Sequence, residues 1–354
     1  MRTTIKDIAE LAGVSKTTVS FAFNDPSRIS VETRDRILKI AEERGYVPDP
    51  IARTLFSRRV GSVGFLVPQN SADAFENPYM AEILRGIGKA LQPEGLSVTV
   101  IPPVKGSLYE SARSAAVDAF VTLGLLPDTK AAAILHDRHI PFVTIDGGED
   151  SSIPAINIDN AQAAYSVMKH ILDLGHRRIG IVDLGLTSVA EAEQDLSETG
   201  SHYSGLGDRR RAGYTRALAE HGITLKSPDV RIVHRHASRA GAYEAAMLLL
   251  DSAGRRPTAI VAMTDLMALG VYHAARELGI RIPEELSVVG FDDIPEASIV
   301  SPALSTLRQP GMQKGYEAGR MVLTLLRDEE PEQRIICMDT TFVERGSTAP
   351  PVGQ

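Results

Sequence analysis

From Gly61 onward the chain alternates short apolar runs with longer amphipathic stretches, and this alternation constrains the fold more than any other feature. The run Ser62-Val-Gly-Phe-Leu-Val67 and the segments 96–101, 119–123 and 141–145 have the length of buried strands, with helical periodicity between them, as over 77–91. After 156–160 the pattern restarts. Helices are expected over 161–174, 210–221, 239–250 and 266–278, and strands over 179–182, 230–233, 259–262 and 286–290. Continuous apolar strands joined by crossover helices pair in parallel, through right-handed βαβ units. The expected fold class is therefore α/β, with a two-lobed body containing two parallel sheets. Ligands of such sheets sit at the carboxyl ends of the strands, which makes the cleft between the lobes the expected binding place.

The first sixty residues follow another pattern. Thr4 can cap a helix with Asp7 in its first turn, and Ile5, Ile8, Ala9 and Ala12 recur at helical steps. Gly13 stands where a chain leaving a helix needs positive φ, and Ser15 caps a second helix with Val19, Ala22 and Phe23 on one side. A third helix is expected from Ser30 to about Arg44, with Gly45 as its stop. Helix, glycine turn and helix make a small all-α helix-turn-helix head, whose second helix lies in the major groove of DNA. Beyond it, Asp49-Pro50 can start a short helix over 51–57, too short to be stable alone.

Charge agrees with that division. Residues 1–60 hold 11 Lys and Arg against 8 Asp and Glu, while the remainder holds 27 against 37. A basic head on an acidic body confines the attraction for phosphate to one end. Cys337 is the single cysteine, so neither a disulfide framework nor a thiolate metal cluster is expected, and a reducing cytoplasm is the expected location. No apolar run reaches the length of a membrane span, and the start does not read as an export signal.

The stretches A-E-L-A-G-V-S-K-T-T-V-S-F-A-F-N (9–24) and V-E-T-R-D-R-I-L-K-I-A-E-E-R-G-Y-V-P (31–48) resemble the head of the LacI (lactose repressor) family. The likeness extends along the body through Asn77-Pro-Tyr-Met-Ala-Glu-Ile-Leu-Arg-Gly-Ile87, Leu174-Gly-His-Arg-Arg-Ile-Gly180, Pro257-Thr-Ala-Ile-Val-Ala-Met-Thr-Asp265 and Val288-Val-Gly-Phe-Asp-Asp293. Pro302-Ala-Leu-Ser-Thr-Leu-Arg-Gln-Pro310 and Val343-Glu-Arg-Gly-Ser-Thr348 belong with them. The resemblance implies a helix-turn-helix domain over 1–47, a hinge helix and linker over 48–60, and a periplasmic-binding-protein-like effector and dimerisation domain over 61–345. Its first lobe is expected over 61–159 and 292–322, its second over 160–291 and 323–345, with a tail over 346–354. The tail is short and Pro-rich without a heptad repeat, so a coiled-coil route to tetramers is not expected.

Site residues carry over from the same resemblance. Lys16 and Thr17 match base-reading positions, with Ser20 and Phe21 on the following turn. Most relatives hold a polar or basic residue where Phe21 stands, so Phe21 either packs on a thymine methyl or belongs to the head's own core. Thr3, Ser15, Thr18, Asn24 and Arg28 are the phosphate candidates, which position without reading sequence. Leu55 matches a leucine that opens a minor-groove step, with Ala52 and Arg53 beside it; the alternative for Leu55 is an ordinary linker hydrophobe. For the effector, Asp146, Arg210 and Asp292 match contacting positions, Thr264 replaces the usual asparagine, and Phe75 falls loosely where a ring meets the ligand. The alternative for both aspartates is the capping of loops or helices. Carboxylates and a guanidinium suit paired hydroxyls, so a sugar or sugar derivative is expected, with a purine or nucleoside as the alternative.

The implied function is a DNA-binding transcriptional regulator, a repressor, that binds a pseudo-palindromic operator as a homodimer and responds to the effector. No cofactor, metal or membrane partner is expected. An enzyme is the rival class, but no Walker A, H-E-x-x-H or G-x-S-x-G pattern occurs, and Gly86-Ile-Gly88 starts inside a helical stretch. His234-Arg-His236 lacks a third metal ligand nearby. A sugar receptor without DNA function, or a DNA binder whose cleft has lost its ligand, are the remaining alternatives. The acidic segment 183–208 reads as a surface loop, or else as a lid over the cleft.

Overall fold

Thr4 opens the first helix by accepting the Asp7 amide while the Asp7 carboxylate takes the Thr4 amide, a reciprocal cap that satisfies both ends of the turn. In the computed structural model the described residues are 3–48, 59–68, 71–147, 152–184, 201–251 and 256–352, the side chains of 71–73 and 201–204 excepted. The expected hinge residues Ala52, Arg53 and Leu55 lie outside them, as does 185–200. The chain divides into two units, Met1–Gly61 and Ser62–Gln354.

In the first unit, α1 (Ile5–Ala12), α2 (Lys16–Asn24) and α3 (Val31–Glu43) enclose a core of Ile8, Ala9, Ala12, Val19, Ala22, Ile37 and Ala41. Gly13 and Gly45 take φ of 64° and 59°, which a side chain would resist. Ser15 and Ser30 cap the second and third helices as their positions predict.

The second unit has two lobes. In the first, β1 (Ser62–Leu66), β2 (Ser97–Ile101), β3 (Ala119–Leu123), β4 (Phe142–Ile145) and β5 (Ala155–Ile158) form a parallel sheet, completed by a strand from near the end of the chain. Helices α4 (Ser71–Glu76), α5 (Pro78–Leu91), α6 (Leu108–Ser114) and α7 (Lys130–Asp137) occupy its connections. The second lobe begins with α8 (Asn160–Asp173). It continues through β6 (Ile179–Leu184), α9 (Ser201–Glu220), β7 (Val230–Arg235), α10 (Arg239–Leu250), β8 (Ala259–Ala262), α11 (Asp265–Glu277), β9 (Ser287–Val289) and α12 (Pro295–Ile299). Its sheet runs β7-β6-β8-β9, all parallel. Then β10 (Thr306–Arg308), α13 (Gly311–Leu325), β11 (Ile335–Met338) and β12 (Thr341–Val343) close the chain, with β10 and β12 antiparallel to each other. Among the described residues no helix is long and apolar enough to cross a membrane.

Three expectations change. Segment 292–305 stays with the second lobe: the Ile294 amide bonds Asp265, and the Tyr272 hydroxyl bonds the Pro302 carbonyl. Conversely, β11 pairs with β5 in the first sheet rather than joining the second lobe, because β5 leaves an edge that the returning strand fills. Finally, 201–208 is not loop; it forms the opening turns of α9.

Close helix packing positions the site. A Cβ on Gly86 of α5 would collide with the Met312 carbonyl, and one on Gly315 of α13 with the Ile83 carbonyl. Gly86 and Gly315 let the two helices touch through their backbones, which gives Gly86 a packing role inside a helix, whereas Gly88 faces open space. That contact draws the inward face of α13 (Gly311, Lys314, Gly315, Ala318) beneath the cleft.

Candidate functional site

The cleft of the second unit opens at the carboxyl ends of both sheets. Gly124 follows β3, Asp146 follows β4, Leu184 ends β6, Thr264 follows β8 and Asp292 follows β9; all line one cavity that is open to solvent on one side. The structure thus brings together four of the five residues expected to contact an effector: Asp146, Arg210, Thr264 and Asp292. Phe75 is not with them. The residue is 68% exposed and outside the cavity lining, on the short helix α4.

Both aspartates hold unusual backbone. Asp146 sits at φ 57° and Asp292 at φ 135°, conformations that side chains resist and that tend to gather at functional sites. Their carboxylates live differently. Lys314, fully buried, reaches Asp146 Oδ1 at 2.8 Å and Oδ2 at 2.7 Å, and also donates to Tyr79 Oη and Gln309 Oε1. Burial pushes the Lys314 ammonium down and the Tyr79 hydroxyl well up, the Asp146 carboxylate acting against the first and with the second. Asp292 Oδ1 accepts from Gln309 Nε2 at 2.6 Å, whereas Oδ2 is buried with no partner among the described residues. Burial pushes Asp292 up to about 8, against the pull of the nearby Arg210 guanidinium. Behind it Asp265, raised to about 7 by burial, accepts from the Thr306 hydroxyl and the Ile294 amide.

Arg210 is held from three sides. Its Nε donates to Asn160 Oδ1, Nη1 donates to the Met263 carbonyl, and the guanidinium lies 3.6 Å over the Phe291 ring. Neighbouring Arg209 donates through Nη2 to the Asp146 carbonyl at 2.7 Å, tying α9 of the second lobe to the first. Thr264 caps α11 by accepting the Met267 amide, and Asn77 caps α5 by accepting the Tyr79 amide.

Sequence reading missed Lys314, Gln309, Tyr79, Asn77 and Arg209. Asn77, Tyr79 and Gln309 lie inside the motifs that carry the family likeness. Lys314 carried a signal of its own, a lysine in phase with Gly311, Gly315 and Ala318 on the apolar face of a helix.

In the first unit, Lys16 and Thr17 stand exposed at the start of α2. Ser20 accepts from Asn24 Nδ2 at 3.2 Å. Phe21 is half-buried and carries the Arg28 guanidinium 5.2 Å from its ring centre. Every phosphate candidate has an intramolecular partner. Ser15 and Thr18 bond each other, Arg28 pairs with Asp25 at 2.7 Å, and the Thr3 hydroxyl donates to the Arg44 carbonyl.

Known proteins agree with both units. Residues 4–49 match the model for bacterial regulatory proteins of the lacI family, and residues 168–348 match a periplasmic binding protein-like domain. An HTH-type transcriptional regulator of Mycobacterium tuberculosis is 31% identical, over 99% of this chain and 98% of its own length. The chain belongs to the LacI family. The HTH-type transcriptional repressor PurR of Vibrio atlanticus is 32% identical over 97% of this chain and 98% of its own. Among solved structures, the complex of the transcriptional regulator CelR with cellobiose is 26% identical, covers 98% of this chain and 100% of its own, and superposes with a TM-score of 0.67. As a LacI-family protein the chain is a DNA-binding transcriptional regulator, with the helix-turn-helix head and parallel-sheet body of that family.

Proposed function

We propose that this LacI-family chain is a repressor whose operator affinity is set by a small polyhydroxylated effector bound between the lobes of its body. The observation that carries this reading is the convergence of Arg210, Thr264, Asp146 and Asp292 on one cavity, contributed by the strand ends of both sheets. A guanidinium and a carboxyl side by side can grip adjacent hydroxyls in pairs. CelR, crystallised with cellobiose, supports a sugar-like ligand. Among the described lining residues Tyr79 is the aromatic one, and it is buried with its hydroxyl tied to Lys314 and Gln309, which supports a polyol over a stacked purine.

On this reading two heads of a cytoplasmic homodimer hold a pseudo-palindromic operator, with Lys16, Thr17, Ser20 and Phe21 toward the bases and Ala52, Arg53 and Leu55 toward the minor groove. The effector acts by linkage: if it weakens operator binding, the operator complex holds it more weakly by the same factor. The test is operator binding by fluorescence anisotropy, with and without ligand. Arg210→Ala is expected to abolish the ligand response while leaving ligand-free operator affinity within about twofold. A response that survives Arg210→Ala removes the cleft from the mechanism.

A further inference from the structure

The polar groups of the cleft divide into those bonded within the chain and those left unbonded. Apart from Asp292 Oδ2, the side-chain acceptors of the lining each already hold at least one donor. Both Asp146 oxygens take Lys314, Gln309 Oε1 takes Lys314 and Tyr79, and Asn77 Oδ1 takes the Tyr79 amide. What the lining leaves over are donors: Arg210 Nη2, the Thr264 hydroxyl proton and Asn77 Nδ2 have no partner among the described residues. Asp292 Oδ2 is the exception, buried and without a donor, and Gln309 bonds only its other oxygen. A carboxyl so arranged carries its proton on Oδ2, in keeping with its upward shift on burial, and becomes a further donor.

Charge points the same way. Three cations surround the floor, Arg209, Arg210 and Lys314, against the two lining carboxyls. Other carboxylates nearby are occupied. Asp265 holds Thr306 and Ile294, and Asp293 pairs with Arg308 and Arg345. Glu82 is half-buried and raised by that burial, with Arg85 acting against the shift. Two helices of 14 and 13 residues, α5 and α11, begin at lining residues Asn77 and Thr264, one from each lobe. A helix start favours negative charge through its dipole, and both starts share the cavity with a buried guanidinium that has a nitrogen to spare.

We propose that the effector bears an anionic, acceptor-rich group, a carboxylate or a phosphate on a polyol, received by Arg210, Thr264 and Asn77. This rests on the cleft reading above and narrows its ligand class. Lys314 is the specificity determinant, since it neutralises Asp146 and withdraws from the cavity the carboxylate that would accept hydroxyl protons and repel an acid.

The test uses the full-length protein at pH 7 and low salt, by thermal shift and titration calorimetry. D-Glucose is compared with D-gluconate and D-glucose 6-phosphate, and inorganic phosphate and acetate serve as anions without a polyol. Expected is stabilisation by at least one anion, tenfold or more tighter than glucose and weakening as salt rises; gluconate against the phosphates tells which acid is preferred. Lys314→Met should lower that preference at least tenfold and Arg209→Gln several-fold, while Asp146→Asn, which leaves Lys314 unopposed, should raise it. Should Lys314→Met not fold, the other two variants carry opposite expectations and decide. Tighter binding of glucose, no stabilisation by any anion, or a preference unmoved by Arg209→Gln and Asp146→Asn overturns the proposal. An acid that binds the cleft without changing operator affinity overturns the regulatory reading instead and leaves the ligand class standing.

Discussion

The two walls of the cleft each offer an aspartate on strained backbone, and they treat it in opposite ways. On the first lobe Asp146 is clamped by a buried lysine whose remaining hydrogens go to Tyr79 and Gln309. On the second, Asp292 has one bonded oxygen and one buried oxygen with nothing to bond among the described residues. The first wall is a finished network whose removal is costly. The second is unfinished and raised by burial, as a wall that expects a ligand would be. Placing an ionisable group in a cleft thus says little until its partners are counted.

Breaking the finished wall should give the largest effect. Lys314→Met strands a buried carboxylate and is expected to cost about 3–5 kcal/mol in urea denaturation, with Lys314→Met/Asp146→Leu regaining most of it. A loss under about 1 kcal/mol would mean the pair is solvated and the contrast between the walls false. Gly315→Ala should follow at about 1–3 kcal/mol or more, since its Cβ meets the Ile83 backbone and the helix crossing must open. The unfinished wall should respond with the other sign. Asp292 is raised above its unfolded value of 3.8 to about 8, so its contribution is intact below pH 4 and is progressively lost as pH rises toward 8. Asp292→Asn should therefore raise the melting temperature, more at pH 8 than at pH 5; a gain independent of pH would show that its carboxyl is not held protonated. Smallest are the caps. Asn77→Ala and Thr264→Ala should each cost about 1 kcal/mol, with the accompanying loss of ligand stabilisation telling which wall binds more.

Much of this was legible in the chain. Periodicity placed β1–β4 and β6–β9 and the longer helices between them, and the caps Thr4, Ser15 and Ser30 are read from residue type and spacing, because a cap is a local bond made within one turn. Asp146, Arg210, Thr264 and Asp292, which line the cleft, are reached through motif likeness, and Lys314 carries a signal in its phase on an apolar face. Phe75 was misplaced, since its loose alignment carried no information about which way a six-residue helix turns.

What the sequence by itself determined is the local and the periodic: a three-helix head around Ile8, Val19 and Ile37, and a body of parallel strands with crossover helices. Tertiary structure alone decided that β11 fills the edge beside β5, and that Lys314 meets Asp146 across 168 residues of chain. The physical reason is that neither partnership is local. Each depends on the glycine-mediated crossing of α5 and α13 and on which sheet edge was left open, and only the assembled fold settles those.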